Sequence, residues 1–157
     1  MTREEKFMQA AIGLSKKGID NGEGGPFGCV IVKDDTIVGR GNNKVTSTND
    51  PTAHAEVVAI RDACKNLNTF QLDGCEVYTS CEPCPMCLGA IYWARPKAIY
   101  FANNRQDAAA AGFDDSMIYE EMAASLGERK IPILSVGREE AIKVFEEWKS
   151  KENKTSY

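Results

Sequence analysis

One imidazole, two thiols and one carboxylate occur in two short segments of the chain. His54 and Glu56 are separated by one residue, and Cys84 and Cys87 follow later in a Pro-Cys-x-x-Cys segment. A catalytic zinc ion usually has three protein ligands and an open position for water, whereas a structural zinc ion has four protein ligands. The imidazole and the two thiols supply three ligands, and Glu56 can carry protons between bound water and a substrate. The pattern therefore predicts one catalytic zinc ion per subunit.

Two helix starts are expected to hold these side chains. Apolar residues at helical spacing follow both Glu56 and Cys87, so each motif falls in the first turn of a predicted helix. A β-like run at 75–79 precedes the cysteines. Pro83 and Pro85 suit the start of a helix because the first turn has spare N–H groups. The positive end of the helix dipole also favours the thiolates that bind a metal ion.

Each motif alone has a simpler interpretation. A single histidine is more often a core or surface residue than a ligand, and one C-x-x-C segment also fits a redox dithiol. The two motifs in this order, with helix, strand and helix patterns around them, favour a catalytic zinc ion over both interpretations. Cys81 and Cys84 also form a C-x-x-C pair. Because Cys81 falls at the end of a predicted strand, we expect it to be a packing or supporting thiol.

The composition is that of an ordinary soluble domain. A chain of 157 residues can form one domain with one hydrophobic core, and no linker or repeat divides residues 1–157. The net charge of −4 argues against a broad nucleic-acid surface, which is usually basic. No apolar run approaches the length of a membrane span and no signal peptide is recognisable, so we expect a cytoplasmic protein with reduced cysteines.

The order of the apolar runs predicts an α/β fold. Helix, hairpin, helix, strand, helix, strand, helix, strand and helix follow one another, which indicates a three-layer α-β-α sandwich with a mixed five-stranded sheet. Strands joined by a helix are expected to be parallel, with a right-handed connection. The fifth strand is expected at 131–136, where Pro132 indicates an edge position. The metal motifs then lie beyond the carboxyl ends of the strands, where ligands usually bind in such folds.

Two residues outside the zinc motifs have side chains suited to a flat, polar ligand. Asn43 lies in a polar, irregular stretch that leads to His54, and its carboxamide offers both a donor and an acceptor. A solvated turn residue is the alternative. Phe27 follows a glycine-rich loop and is either a core residue or a stacking surface for a flat ligand.

The zinc motifs fit the H-x-E and P-C-x-x-C signature of zinc-dependent nucleobase deaminases. On these motifs the chain resembles the cytidine-deaminase-like superfamily. Fuller stretches at 25–28, 49–56, 78–87 and 111–116 are similar to the bacterial guanine deaminases within it. The resemblance implies a cytidine-deaminase-like fold and the hydrolytic deamination of guanine to xanthine and ammonia in purine metabolism. It also implies that Glu56 is the catalytic residue and that the partner is a small-molecule purine rather than a nucleic acid or a membrane.

The resemblance further implies a set of substrate contacts. Asn43 would hold the purine edge, and Asp115 would accept hydrogen bonds from N1–H and the 2-amino group of guanine. The sequence alone can exchange Asp115 with Asp114. Phe27 and Trp93 would wall the pocket, although a core position suits Trp93 equally well. The complete implied set is Asn43, Asp115, Phe27, Ala55, Trp93, Tyr157 and Asp114.

The C-terminal tail, residues 150–157, is polar except for Tyr157. Such a tail would ordinarily fray. The resemblance implies instead a homodimer in which the tail closes an active site, with exchange of the tail between subunits as one arrangement.

Three other functions fit part of the pattern. A tRNA adenosine deaminase shares the zinc motifs but needs basic residues to bind tRNA phosphates, and the helix predicted at 138–149 has more acidic than basic residues. A deaminase of guanosine or of another aminopurine or pyrimidine would present a similar ring to the zinc ion. A non-enzymatic zinc module leaves Glu56 and the open ligand position unexplained.

Overall fold

The computed structural model describes residues 1–157, which divide into two units, Met1–Asp115 and Ser116–Tyr157. In chain order, the first unit contains α1 (Arg3–Asp20), β1 (Gly28–Lys33), β2 (Thr36–Asn42), α2 (Val45–Thr48), α3 (Ala55–Leu67), β3 (Glu76–Cys81), α4 (Pro85–Ala94), β4 (Ala98–Asn103) and α5 (Arg105–Ala110). The second unit contains α6 (Ser116–Ala123), one 3₁₀ turn (Leu126–Glu128) and α7 (Arg138–Ser150). None of these helices combines the length and the hydropathy that a membrane span requires.

The strands of the first unit form one mixed sheet with the order β2-β1-β3-β4. β1 is antiparallel to both β2 and β3, whereas β3 and β4 are parallel. α4 connects β3 to β4, because parallel neighbours need a crossover connection. The predicted α/β fold with a mixed sheet is therefore confirmed.

The predicted fifth strand is wrong, and the sheet has four strands. Residues 131–136 contain no β-strand, and Ile131, Leu134 and Val136 are 75%, 83% and 91% exposed. A strand needs a hydrogen-bonded neighbour, and the second unit contains no other strand with which this segment can pair. Pro132 also lacks an N–H group for a ladder. Apolar composition alone therefore does not make this segment a strand.

Helices cover both faces of the sheet in the first unit. Successive residues of a strand point to opposite faces. Cys29 and Ile31 of β1 belong to an apolar cluster with residues of α3 and α4, whereas Val30 and Val32 belong to a cluster with residues of α1. The first unit is therefore a three-layer α-β-α arrangement with one apolar cluster on each side of the sheet.

A glycine in β2 allows α3 to lie close to the sheet. A Cβ atom at Gly41 would lie 2.5 Å from the backbone nitrogen of Ala59 and closer still to the carbonyl oxygen of Ala55. Any other residue at this position would push the helix away from β2. The close packing thus fixes the first turn of α3, where Glu56 lies.

The second unit has no buried core of its own. No residue of α6, of the 3₁₀ turn or of α7 is buried. Its exposed large apolar residues are Met117, Ile118, Met122, Leu126, Ile131, Ile133, Leu134, Val136, Val144, Phe145, Trp148 and Tyr157. Exposed apolar surface of this extent usually marks an interaction site.

Candidate active site

Three metal-binding side chains meet at the starts of α3 and α4. His54 is the N-cap residue of α3, Cys84 is the N-cap residue of α4, and Cys87 lies in the first turn of α4. Nδ1 of His54 lies 3.5 Å from Sγ of each cysteine, and all three ligand atoms lie within 4.8 Å of one another. A tetrahedral zinc ion with Zn–N of about 2.0–2.1 Å and Zn–S of about 2.3 Å places nitrogen and sulfur about 3.5 Å apart. The three side chains therefore fit a zinc ion.

The charge state of the two thiols also suits a cation. Hydrogen bonds that the Cys84 sulfur accepts from the Cys87 thiol and from His54 lower the pKa of Cys84 to about 4, although burial opposes this shift. The same hydrogen bond raises the pKa of Cys87, because Cys87 is the donor. The cluster thus holds one thiolate by itself, and a dication bound there would favour the second thiolate.

Glu56 is a buried carboxyl group beside the metal-binding cluster. It lies in the first turn of α3 and is 6% exposed. Burial raises the pKa of Glu56, whereas a hydrogen bond of 3.2 Å from Oγ1 of Thr79 to Oε1 favours the carboxylate. A carboxyl group with a raised pKa can exchange protons nearer to neutral pH. Glu56 is therefore placed for acid–base chemistry, and Thr79 is a supporting residue that the sequence did not single out.

Asn43 follows β2 and is also buried, at 6% exposed. Its Oδ1 accepts hydrogen bonds from the backbone N–H of Gly25, at 3.3 Å, and of Val45, at 3.1 Å. Gly24 makes room for the carboxamide, because a Cβ atom there would collide with Oδ1. Since two backbone donors use the oxygen, Nδ2 is the atom of Asn43 that remains to donate to a ligand.

Phe27 pairs with Phe113, a residue that sequence reasoning missed. The two ring centroids lie 4.9 Å apart and the rings are nearly perpendicular, at 85°. Phe27 also packs against the apolar cluster that includes α3 and α4, whereas Phe113 is 44% exposed. The one sequence signal for Phe113 is its position directly before the two acids Asp114 and Asp115.

Asp115 forms an ion pair with Arg105, another residue that sequence reasoning missed. Nε of Arg105 lies 3.7 Å from Oδ1 of Asp115, and the two side chains are 34% and 20% exposed. Burial raises the pKa of Asp115, and the charge of Arg105 opposes this shift. Asp114, by contrast, is exposed. The structure thus gives the two neighbouring acids different surroundings.

Residues 1–103 match a family model described as the cytidine and deoxycytidylate deaminase zinc-binding region. The chain belongs to this family. The predicted zinc cofactor of this deaminase is therefore confirmed, and His54, Cys84 and Cys87 are the side chains that can hold it. The family resemblance drawn from the two motifs is confirmed as well.

The deaminase is also similar to individual proteins. It is 56% identical over 153 residues to guanine deaminase of Bacillus subtilis strain 168, with 98% of each chain covered. The X-ray structure of guanine deaminase from Bacillus subtilis matches with a TM-score of 0.95, again over 98% of both chains at 56% identity. A tRNA-specific adenosine deaminase of Aquifex aeolicus strain VF5 is 41% identical over 99 residues, which cover 63% of this chain and 65% of the relative. Similarity to the first relative therefore includes both units.

The structure does not bring every predicted site residue of the deaminase to the zinc ligands. Ala55 is buried in the first turn of α3, next to His54. Trp93 lies in the last turn of α4, about 14 Å along the helix axis from Cys84. Trp93 is 59% exposed, and its contacts include the guanidinium group of Arg95 at 5.7 Å from the ring centroid. Tyr157 is 72% exposed and belongs to the second unit.

Cys81 is not part of the metal-binding group of this deaminase, which consists of the imidazole and the other two thiols. It is the last residue of β3 and is buried, and its Sγ lies 3.8 Å from the carbonyl oxygen of Asn104. Burial raises the pKa of Cys81 to about 11. Cys81 is therefore a neutral thiol that packs between the end of β3 and the start of α5.

Proposed function

We infer that this deaminase removes the 2-amino group of guanine by hydrolysis and produces xanthine and ammonia. The observation that carries the inference is the 56% identity to Bacillus subtilis guanine deaminase over 98% of both chains. The reaction places the protein in purine metabolism. We propose a cytoplasmic location, where the six free cysteines would stay reduced.

The side chains of the site would divide the work of hydrolysis. His54, Cys84 and Cys87 would hold the zinc ion, which would lower the pKa of a bound water and so supply a nucleophile near neutral pH. Glu56 accepts a proton from the attacking water, delivers it to a ring nitrogen and then helps to protonate the leaving amine. Water adds at C2 of guanine, the bond from C2 to the amino nitrogen breaks, and ammonia leaves. Thr79 limits the rotation of the Glu56 carboxylate during these transfers.

Asp115 and Asn43 would recognise guanine by its donors and acceptors. The N1–H and the 2-amino group are donors, and an ionised Asp115 is an acceptor only. Adenine has no hydrogen at N1 and no 2-amino group, so it cannot pair with Asp115 in this way. Nδ2 of Asn43 would donate to an acceptor of the purine, since Oδ1 is used by two backbone N–H groups. Asp114 is exposed, which supports Asp115 as the contacting acid.

Phe27 would form one wall of the substrate pocket. Stacking of a base on an aromatic ring is worth roughly 1–3 kcal/mol in nucleic-acid sites, and a free purine offers the same flat surface. Phe113 packs edge-on against Phe27 and would hold its ring in place. Ala55 and Trp93 remain predictions as further substrate contacts.

We propose that the deaminase acts as a homodimer. The second unit exposes apolar side chains such as Phe145 and Trp148, at 67% and 46% exposed. A second copy of the chain is the partner that we propose for this surface, because closed symmetric dimers are the commonest soluble assemblies. In such a dimer, the tail at 150–157 would place Tyr157 over an active site and exclude water from it. Exchange of this tail between the two subunits is the arrangement that we favour.

A four-substrate assay tests the proposed reaction. Guanine, guanosine, cytosine and an adenosine-bearing tRNA stem-loop are each incubated with the zinc-loaded protein, and the release of ammonia is measured. We expect release from guanine, with the Glu56→Gln variant as the inactive control. Release from the stem-loop alone would favour the alternative suggested by the Aquifex aeolicus relative. No release from any substrate would favour a non-enzymatic zinc module.

A further inference from the structure

Arg105 extends from a helix start that is tied to the zinc-ligand segment. The backbone N–H of Arg105, the first residue of α5, donates a hydrogen bond to Oε2 of Glu82 at 3.0 Å. The N–H of Glu82 donates in turn to the carbonyl oxygen of Asn103 at 2.7 Å. Glu82 lies two residues before the ligand Cys84. The backbone of Arg105 is therefore held at a fixed distance from the metal-binding segment.

A capping box strengthens this attachment. Oδ1 of Asn104, the N-cap residue of α5, accepts a hydrogen bond from the N–H of Asp107 at 2.9 Å. The side chain of Asp107 accepts a hydrogen bond from the N–H of Asn104, also at 2.9 Å. A capping box satisfies two backbone donors reciprocally and stabilises the first turn of a helix. The first turn of this six-residue helix, which contains Arg105, is thus stabilised by its own sequence.

The Arg105 side chain brings a permanent positive charge to Asp115. Nε of Arg105 lies 3.7 Å from Oδ1 of Asp115, which is ion-pair distance, and neither side chain is fully exposed. An arginine side chain stays protonated in proteins, so this charge does not vary with pH. The pair is less screened by water than a surface ion pair, because the carboxyl group is only 20% exposed.

Burial is the main effect that favours the neutral form of Asp115. It raises the pKa of the carboxyl group, as does the neighbouring Asp114 to a smaller extent, whereas the charge of Arg105 and a backbone hydrogen bond lower this pKa. Cys81, at the end of β3, also interacts electrostatically with this carboxyl group, but its raised pKa of about 11 keeps it a neutral thiol. The ionisation of Asp115 therefore depends chiefly on the balance between burial, which favours the neutral form, and Arg105, which favours the carboxylate.

We propose that Arg105 is a positioning residue that keeps the Asp115 carboxylate anionic and oriented as the hydrogen-bond acceptor for guanine. The inference rests on the proposed contact between Asp115 and guanine. A protonated Asp115 carries a donor hydrogen and cannot accept from both N1–H and the 2-amino group in the same way. Arg105 thus acts on substrate binding through Asp115 and not by touching the reacting atoms.

Equilibrium dialysis of radiolabelled guanine tests the proposal without turnover. The binding is measured from about pH 5 to pH 8 on zinc-loaded Glu56→Gln protein, in which the other titrating carboxyl group of the site is absent. Into this background we would place Arg105→Gln, Arg105→Lys and Asp115→Asn, with Arg40→Gln as the matched control because the Arg40 side chain is exposed on β2. Zinc content and melting temperature are recorded for every variant.

We expect Arg105→Gln to lose guanine affinity as the pH falls, with a midpoint about one pH unit higher than in the reference protein. Its affinity should approach the reference value at the alkaline end, where Asp115 is ionised even without its partner. The midpoint for Arg105→Lys should lie between those of the reference protein and Arg105→Gln, because lysine keeps the charge but not the geometry of the guanidinium group. Arg40→Gln should match the reference.

Three other outcomes would overturn different parts of the argument. If Asp115→Asn weakens guanine binding at every pH but Arg105→Gln keeps the reference pH profile, the role of Arg105 is wrong and the Asp115 contact stands. If both Arg105 variants lose the same amount of guanine affinity at every pH, the role of Arg105 is purely structural, and the proposal is overturned. Unchanged affinity in Asp115→Asn would instead remove the proposed substrate contact itself.

Discussion

Oγ1 of Thr79, in β3, donates a hydrogen bond of 3.2 Å to Oε1 of Glu56, in α3. Thr79 pairs with Cys29 of β1 on one side and with Phe101 of β4 on the other, so it lies in an interior strand of the sheet. Its side chain is 1% exposed and has no room to turn toward solvent. The bond therefore ties the carboxylate of the site to the interior of the sheet.

Replacing Thr79 with Val should lower kcat about tenfold and move the acidic limb of the kcat profile to higher pH. A hydrogen bond to a charged group is worth about 1.5 kcal/mol or more, which corresponds to about one pKa unit. The bond favours the carboxylate, so its loss raises the pKa of Glu56, and the base form is lost at a higher pH as the solution is acidified. Thr79→Ser keeps the hydroxyl group and should keep the native profile. An unchanged profile in Thr79→Val would show that the bond has no catalytic role.

Changing Glu56 to Gln should leave stoichiometric zinc bound and reduce turnover of guanine by a factor on the order of 10² or more. The carboxamide has nearly the same shape but cannot accept and return a proton in the working pH range. Zinc is measured by elemental analysis and turnover by the release of ammonia. Near-normal activity with full zinc occupancy would refute the assignment of Glu56 as the proton carrier.

Removal of the Asp115 side chain should reduce guanine turnover far more than removal of the Asp114 side chain. Asp115 is partly buried beside Arg105, whereas Asp114 is exposed. The measurement is kcat/KM for guanine in Asp115→Ala and Asp114→Ala. The two variants are matched because both remove the same side chain, at neighbouring positions. Equal losses in the two variants, or a gain for Asp115→Ala, would mean that the wrong acid or the wrong substrate has been chosen.

Substitution of Phe27 by Leu should raise KM for guanine and change the melting temperature little. The Leu side chain still fills the apolar cluster beside α3 and α4 but offers no aromatic face to a purine. Phe7→Leu is the matched control, because Phe7 is 4% exposed in the cluster on the other face of the sheet. The Phe7→Leu substitution should lower the melting temperature and leave KM for guanine unchanged. The reverse pattern for Phe27→Leu would make it a core residue only.

The zinc ligands were predictable from the sequence because each of the two motifs is local. The three ligands occupy the N-cap or first-turn positions of two helices, and the apolar spacing that follows each motif marks where those helices begin. The mixed sheet was predictable for the same reason, since each strand is a short apolar run bounded by turns. These patterns do not show that the two helix starts face one another, which the zinc site also requires.

The supporting residues and the strand count depend on contacts between distant segments, which no local pattern encodes. The Thr79 side chain, in β3, donates a hydrogen bond to Glu56, in α3, and the sequence pattern of the strand does not predict this contact. Arg105 begins α5, a helix of six residues whose sequence, Arg105–Ala110, lacks the spaced large apolar residues that predict the longer helices. The segment 131–136 has the composition of a strand but no neighbouring strand in its unit. Composition therefore predicts which segments can form strands but not which ones find partners.

Deletion of residues 151–157 should leave zinc bound and the first unit folded, while activity falls steeply. The deletion begins after the last residue of α7, and residues 151–157 are all exposed, so no buried residue is removed. Zinc content and circular dichroism test the fold, and ammonia release tests activity. A variant that lacks only Tyr157 is the control that separates the phenol from the polar part of the tail. Full activity of the truncated chain would show that the tail closes nothing.

Mixing the truncated chain with an excess of full-length Glu56→Gln chains tests whether the tail is exchanged between subunits. Neither chain should be active alone, because one lacks the tail and the other lacks the proton carrier. In a mixed dimer with exchanged tails, the Glu56→Gln subunit lends its Tyr157 to the partner that has an intact Glu56, so activity should be partly restored. In a dimer whose tails fold back on their own subunits, every active site lacks one of the two groups. Mixing would then restore no activity at any ratio of the two chains.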